Sequence, residues 1–128
     1  MINYVDFNTL LGKTLTKIEG LEKGNDNVKF YCEDGTIYNM YHYQECCESV
    51  RIEDVIGDIN NLIGYPLLIA EEINDKNGLP LSERHKRYKW TFYKLSTIKG
   101  YVTIRWYGGS NGYYSESVDF KQIYENVD

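Results

Sequence analysis

Only two prolines and three cysteines occur in the 128 residues, and no apolar run approaches a membrane span, which needs roughly 20 residues. With so little proline and no long polar tract, the composition is that of an ordinary globular chain rather than a disordered one. Basic residues are in the minority, 14 against 19 acidic ones, for a net charge of −5. That excludes nonspecific binding to duplex nucleic acid, which requires clustered cations along a phosphate backbone. It does not exclude a small nucleotide, which one or two placed arginines can hold. The cysteines are odd in number, and two of them, Cys46 and Cys47, are adjacent. A disulfide framework is not expected from that pattern, so the sequence predicts three free thiols, none of them linking Cys32 to the pair. A reducing cytoplasm is the matching compartment. The stretch MINYVDFNTLLGK lacks the basic flank and apolar core of a secretory signal. No internal repeat is present. Residues 1–128 are expected to form a single domain, large enough to bury a core without metal or disulfide support.

Aromatic surface is what the chain has in excess. The segment Trp90–Phe120 holds both tryptophans, two of the four phenylalanines and several of the thirteen tyrosines. Rings favour strands because they suit a half-buried pleated surface, and the segment reads as strands at about 88–97, 100–107 and 113–119. Asn111-Gly112 makes the second turn. Earlier, residues 14–22 and 28–32 alternate as strands, Asp34-Gly35 signals a hairpin, and 36–43 returns. Residues 3–12 suit a short helix. Ile52, Val55, Ile56, Ile59, Leu62 and Ile63 fit helical spacing, so a short strand at 49–53 and a main helix over about 55–63 are expected, stopped by Gly64. A strand follows at 66–73, then a loop at 74–87, and FKQIYENVD closes as a helical turn and tail. The predicted fold class is α+β: a twisted antiparallel sheet of five or more strands with one main helix.

Two blocks carry a resemblance. MYHYQECCESVRIEDVIGDINNLIGYPLLIAEE (40–72) and WTFYKLSTIKGYVTIRWYGGSNGYYSESVDF (90–120) contain the strings YH-x-Q-[DE]-CCE and KGYVTIRWYG-x-SNGYYS. They resemble a family of short uncharacterised accessory proteins, a domain of unknown function, encoded by tailed phages and prophages. In that family the residue before Ser-Asn-Gly is usually glutamate; here it is Gly109. The resemblance implies a phage product acting in the cytoplasm of a bacterial host. It implies no chemistry.

Four constellations bear on function. His42, Cys46 and Cys47 are of metal-ligand type, but H-x3-C-C is not a zinc spacing, and a structural role is the simpler reading; no metal or other cofactor is expected. A cysteine nucleophile with His42 as base needs a lowered thiol pKa, which Glu45 and Glu48 oppose. The carboxylates Glu53-Asp54, Asp58 and Glu71-Glu72 form no ordered cation loop and read as a solvated face. The basic run Arg84–Arg87 with Lys89 reads as a solvated loop.

The fourth is an aromatic–arginine surface. On the strand at 100–107, Val102, Ile104 and Trp106 form the core face, so Tyr101, Arg105 and Tyr107 point the other way. An arginine between tyrosines suits stacking on a base and pairing with phosphate. Ligand or partner contacts are therefore expected at Arg105, Tyr107, Asn111 and Tyr113, with Tyr101 and Tyr41 as outlying candidates. On this reading Arg105→Ala weakens binding by about 1.5–3 kcal/mol and leaves folding nearly intact.

Three classes of function stay open. One is a cytoplasmic protein that counters a host defence or regulatory pathway by sequestering a nucleotide-derived small molecule. Another is a protein–protein inhibitor of a host enzyme. The third is a metal- or thiol-dependent enzyme using His42, Cys46 and Cys47. Self-association is compatible with each, and a membrane partner with none.

Overall fold

Alternation of apolar and polar residues, not helical periodicity, governs nearly every segment. The computed structural model describes residues 3–75 and 78–124. Nine strands are present there: β1 (Asn3–Tyr4), β2 (Leu15–Glu19), β3 (Asn27–Cys32), β4 (Ile37–Tyr41), β5 (Ser49–Ile56), β6 (Ile69–Asp75), β7 (Arg87–Thr97), β8 (Gly100–Ser110) and β9 (Asp119–Ile123). They form two antiparallel sheets, a five-stranded one in the order β1-β9-β4-β3-β2 and a four-stranded one in the order β5-β8-β7-β6.

Each sheet gives one face to a shared core. From the first come Val28, Phe30, Tyr38, Met40 and Phe120; from the second, Val50, Ile52, Tyr93, Leu95, Val102, Ile104 and Trp106. Trp106 is 1% exposed, and its indole N–H donates to Met40 Sδ at 3.1 Å across the two layers. That contact gives the indole the polar partner a buried tryptophan needs. Phe7, on the turn between β1 and β2, packs on Tyr93 at 4.8 Å and on Phe120 at 5.2 Å. Cys32 is buried at the core margin, and burial pushes its thiol above the ordinary range.

The predicted α+β class does not hold. The helical elements among the described residues are two four-residue 3-10 turns, Phe7–Leu10 and Ile59–Leu62. The expected main helix over 55–63 is the end of β5 followed by the second turn. A bulge explains the misreading. Ile52 pairs with Trp106 and Asp54 with Arg105, so Glu53 is an extra residue in β5. Beyond it the inward set shifts by one, and Ile52 and Val55, three apart, share the core face. Three-residue spacing mimics a helix, although the β-branched residues there favour a strand. Asp58 then caps the short turn by accepting the Asn60 N–H at 3.0 Å. The expected N-terminal helix is likewise β1 and a 3-10 turn.

The expected strand at 113–119, hairpin-paired to β8, is also absent. β8 runs on to Ser110 and the chain then crosses to the other sheet, where β9 pairs with β4 and β1. Local side-chain bonds account for the break. Ser110 Oγ accepts from Gly112 N–H, Asn111 Oδ1 from Tyr113 N–H, and Ser115 Oγ from Ser117 N–H, at 3.0–3.2 Å. Such bonds satisfy the backbone without a ladder. The expected C-terminal helical turn is β9 in part; residues 125–128 lie outside the described residues.

Candidate functional site

The 78–87 segment folds as a strap over the outer face of the four-stranded sheet, on top of the aromatic–arginine row. Trp90 Nε1–H donates to the Leu79 carbonyl at 3.0 Å. The Tyr107 hydroxyl accepts from the Leu81 N–H at 3.0 Å and lies 2.6 Å from His85 Nδ1. Trp90 meets Tyr107 edge-on at 4.8 Å. Tyr107 is fully buried, and burial raises its hydroxyl pKa above the ordinary value. Gly109 makes room for the strap: a Cβ there would overlap the His85 ring. On the same face, Arg105 lies over Trp90 at 4.9 Å and pairs with Asp54, its cross-strand neighbour, at 2.8 Å. Its Nε is buried with no partner among the described residues.

Where the strap enters β7 there is a cleft of about 440 Å³ lined by Asn74, Lys86, Arg87, Tyr88, Lys89 and Glu116. Its size falls within the range of small-molecule sites. Arg87 and Lys89 lie on the β7 side that continues the core face, Tyr88 on the opposite side with Trp90, and Glu116 pairs with Arg87 at 3.1 Å. β7 and β8 place Arg87 opposite Ser110, so the Asn111–Tyr113 tip lies at the rim. These cations belong to the run read from sequence as a solvated loop. The signal available was their continuation, through Tyr88, into the aromatic strand.

The predicted contacts are thus brought together only in part. Arg105 and Tyr107 are neighbours on one face, as alternation requires, but Tyr107 is covered by the strap and Arg105 is engaged with Asp54 and Trp90. Asn111 and Tyr113 are exposed, Tyr113 at 89%. Tyr101, 60% exposed, lies at the far end of the same face. Tyr41 belongs to the other sheet and is paired there with Lys121 at 4.5 Å; burial, first, and Tyr4 raise its pKa to about 12.

The His42, Cys46 and Cys47 group forms a different arrangement from either chemistry considered. Cys46 and Cys47 are bonded to each other, and only Cys32 is a free thiol. The expected count of three thiols is therefore corrected to one, while Cys32 does stand apart from the pair. His42 and Glu48 are both buried, with Nε2 and Oε2 3.2 Å apart, and His42 Nδ1 lies 2.7 Å from the Ser117 carbonyl oxygen. Both ring nitrogens are thus engaged by partners, one on the side chain of Glu48 and one on the backbone of Ser117. Neither nitrogen is left to act as a base toward sulfur. Glu48 also accepts the N–H groups of Cys46 at 2.9 Å and Glu45 at 3.2 Å. Burial alone would raise its pKa, but these donors and His42 bring it down to about 2. No group of three or more metal-ligating side chains is present among the described residues.

No curated protein and no solved structure matches the chain. A family model does, over residues 8–120, which run from the first 3-10 turn to β9 and so include the strap, the cleft and the buried pair. The chain belongs to the family described as a domain of unknown function, DUF7448.

Proposed function

We propose that this protein binds a small anionic, ring-bearing molecule of the nucleotide class in the cleft at the mouth of β7. On this reading it is a phage-encoded protein of the bacterial cytoplasm, and it sequesters that molecule from a host defence or regulatory pathway. The gathering of Lys86, Arg87 and Lys89 along the lining of one cleft, on a chain of net charge −5, carries the reading. Phosphate oxygens would pair with the cations, and Tyr113 would meet the base from the rim.

Isothermal titration with ATP and with a cyclic dinucleotide tests the proposal. Binding of either is expected to weaken at least about tenfold in Arg87→Ala/Lys89→Ala, about 1.4 kcal/mol or more, with an unchanged unfolding midpoint. A folded protein that takes up neither probe, and releases no small molecule on denaturation by mass spectrometry, would sink it. The second reading, inhibition of a host enzyme by direct contact, is favoured by the exposed Leu79 and Leu81 of the strap and by Tyr113, 79%, 49% and 89% exposed. Loss of a host partner in Leu79→Asp, with nucleotide binding absent, would favour that reading.

A further inference from the structure

We propose that the outer face of the five-stranded sheet binds single-stranded nucleic acid, its tyrosines stacking on bases and its lysines pairing with phosphates. The proposal is independent of the ligand reading above, which concerns the other sheet.

Val28, Phe30, Tyr38, Met40 and Phe120 turn one face of this sheet into the core, so their neighbours along each strand point outward. Register sets those neighbours in rows. Lys17 on β2 lies beside Tyr31 on β3. Lys29, Asn39, Lys121 and Tyr4 follow one another across β3, β4, β9 and β1, and Tyr41 lies beside Asp119. Each of the five strands thus gives the face a lysine, a tyrosine or both. Two of the pairs meet: the Lys17 ammonium lies 5.1 Å from the centre of the Tyr31 ring, and that of Lys121 lies 4.5 Å from the Tyr41 ring. A nucleotide offers each member of such a pair a partner of its own. The base stacks on the ring, and the phosphate takes the ammonium in a charge-assisted bond.

Charge on the face favours an anion. Its three lysines stand against two carboxylates, Glu19 and Asp119, although the chain as a whole has a net charge of −5. Glu19 is on the edge strand and pairs with Lys17 at 3.3 Å. Lys29 and Lys121 are in no ion pair among the described residues, and only β4 separates them. A single strand fits better than a duplex. A sheet face stacks on bases only where they are splayed out of a helix, and three lysines do not supply the run of phosphate contacts that a duplex requires. A protein partner would find little aliphatic surface here, because Ile37 is buried and Ile123 half-buried.

The test is fluorescence anisotropy of the full chain with labelled oligothymidylate and oligouridylate, and with a DNA duplex for comparison. Both single strands should bind, and the duplex at least about tenfold more weakly. With up to three phosphates neutralised, affinity should fall about tenfold or more between 50 and 200 mM salt. Lys29→Ala/Lys121→Ala should weaken binding at least about tenfold and flatten the salt dependence. Tyr31→Ala/Tyr41→Ala should weaken it at least about fivefold, whereas Tyr31→Phe/Tyr41→Phe keeps both rings and should stay within about twofold of wild type. Lys99→Ala removes a lysine–tyrosine contact of the same kind, with Tyr65, away from this face, and should change nothing. Circular dichroism of each variant checks that the fold is kept. No binding of either single strand at 50 mM salt, a duplex bound as tightly, or undiminished binding by the folded lysine variant would overturn the proposal. So would an equal loss in Lys99→Ala.

Discussion

Replacing Glu48 by alanine is the most demanding test of how the loop between β4 and β5 is held. The side chain has no exposure, and it receives the Cys46 and Glu45 N–H groups and the His42 ring. Alanine leaves two backbone N–H groups and the buried His42 Nε2 without their partner. Leaving buried or part-buried polar groups without a partner costs about 1–3 kcal/mol each, about 3–5 kcal/mol for the three together, a large part of the roughly 5–15 kcal/mol that holds a domain of this kind together. At about 2 kcal/mol per molar urea, the unfolding midpoint should fall by about 2 M. Urea titration followed by tryptophan fluorescence measures this, since Trp106 lies in the core. The effect also has a sign in pH. Glu48 titrates near 2 in the folded chain, below its ordinary 4.5, so its contribution is complete above about pH 4.5 and drains away as the pH falls toward 2. The gap between wild type and Glu48→Ala should be widest at neutral pH and narrow on acidification. A midpoint within about 0.3 M of wild type at pH 7, or a gap that stays constant down to pH 2.5, would refute the reasoning.

Tyr107→Phe removes the hydroxyl that holds Leu81 and His85, and should destabilise by about 1–2 kcal/mol while making the strap the first site of limited proteolysis. Gly109→Ala forces the His85 ring off the sheet and should loosen the strap in hydrogen exchange, although Tyr107 is untouched. Trp106→Ala should cost about 3–5 kcal/mol in urea unfolding, the usual range for an aromatic core deletion. Arg105→Ala should cost about 1–2 kcal/mol, because the side chain pairs with Asp54 and lies over Trp90; this replaces the near-neutral outcome that the sequence alone suggests.

Alternation made most strands legible, including the opposition of Arg105 to Val102, Ile104 and Trp106, and Asp34-Gly35 marked the β3–β4 hairpin. What escaped was non-local. The bulge at Glu53 is visible only against β8, and without it Ile52 and Val55 read as neighbours on a helix. The departure of the chain after Ser110 depends on serine and asparagine side chains capturing their own backbone, which competes with an equally good hairpin signal. Burial of Tyr107 could not be foreseen, because the strap above it has no periodicity of its own. The basic cleft was hidden for a related reason: a cationic run looks solvated until its flanking strand gives it walls. The vicinal bond was missed because the odd cysteine count pointed away from any disulfide at all.

The placement of β9 between β1 and β4 has a kinetic consequence. Three strands of the five-stranded sheet are contiguous in the chain, but the strand that covers the free edge of β4 is the last of the nine to be made. Until Asp119–Ile123 arrives, the hydrogen-bonding groups of Ile37–Tyr41 on that side have no strand partner, and the Tyr38, Met40 and Phe7 surface lacks Phe120. Closure therefore joins segments 78 to 86 residues apart, the kind of contact that slows folding and leaves an edge open to pairing with other chains in the interval. A nascent polypeptide released before residue 119 would hold both hairpin β3–β4 and the complete four-stranded sheet, yet still present that edge to any neighbour.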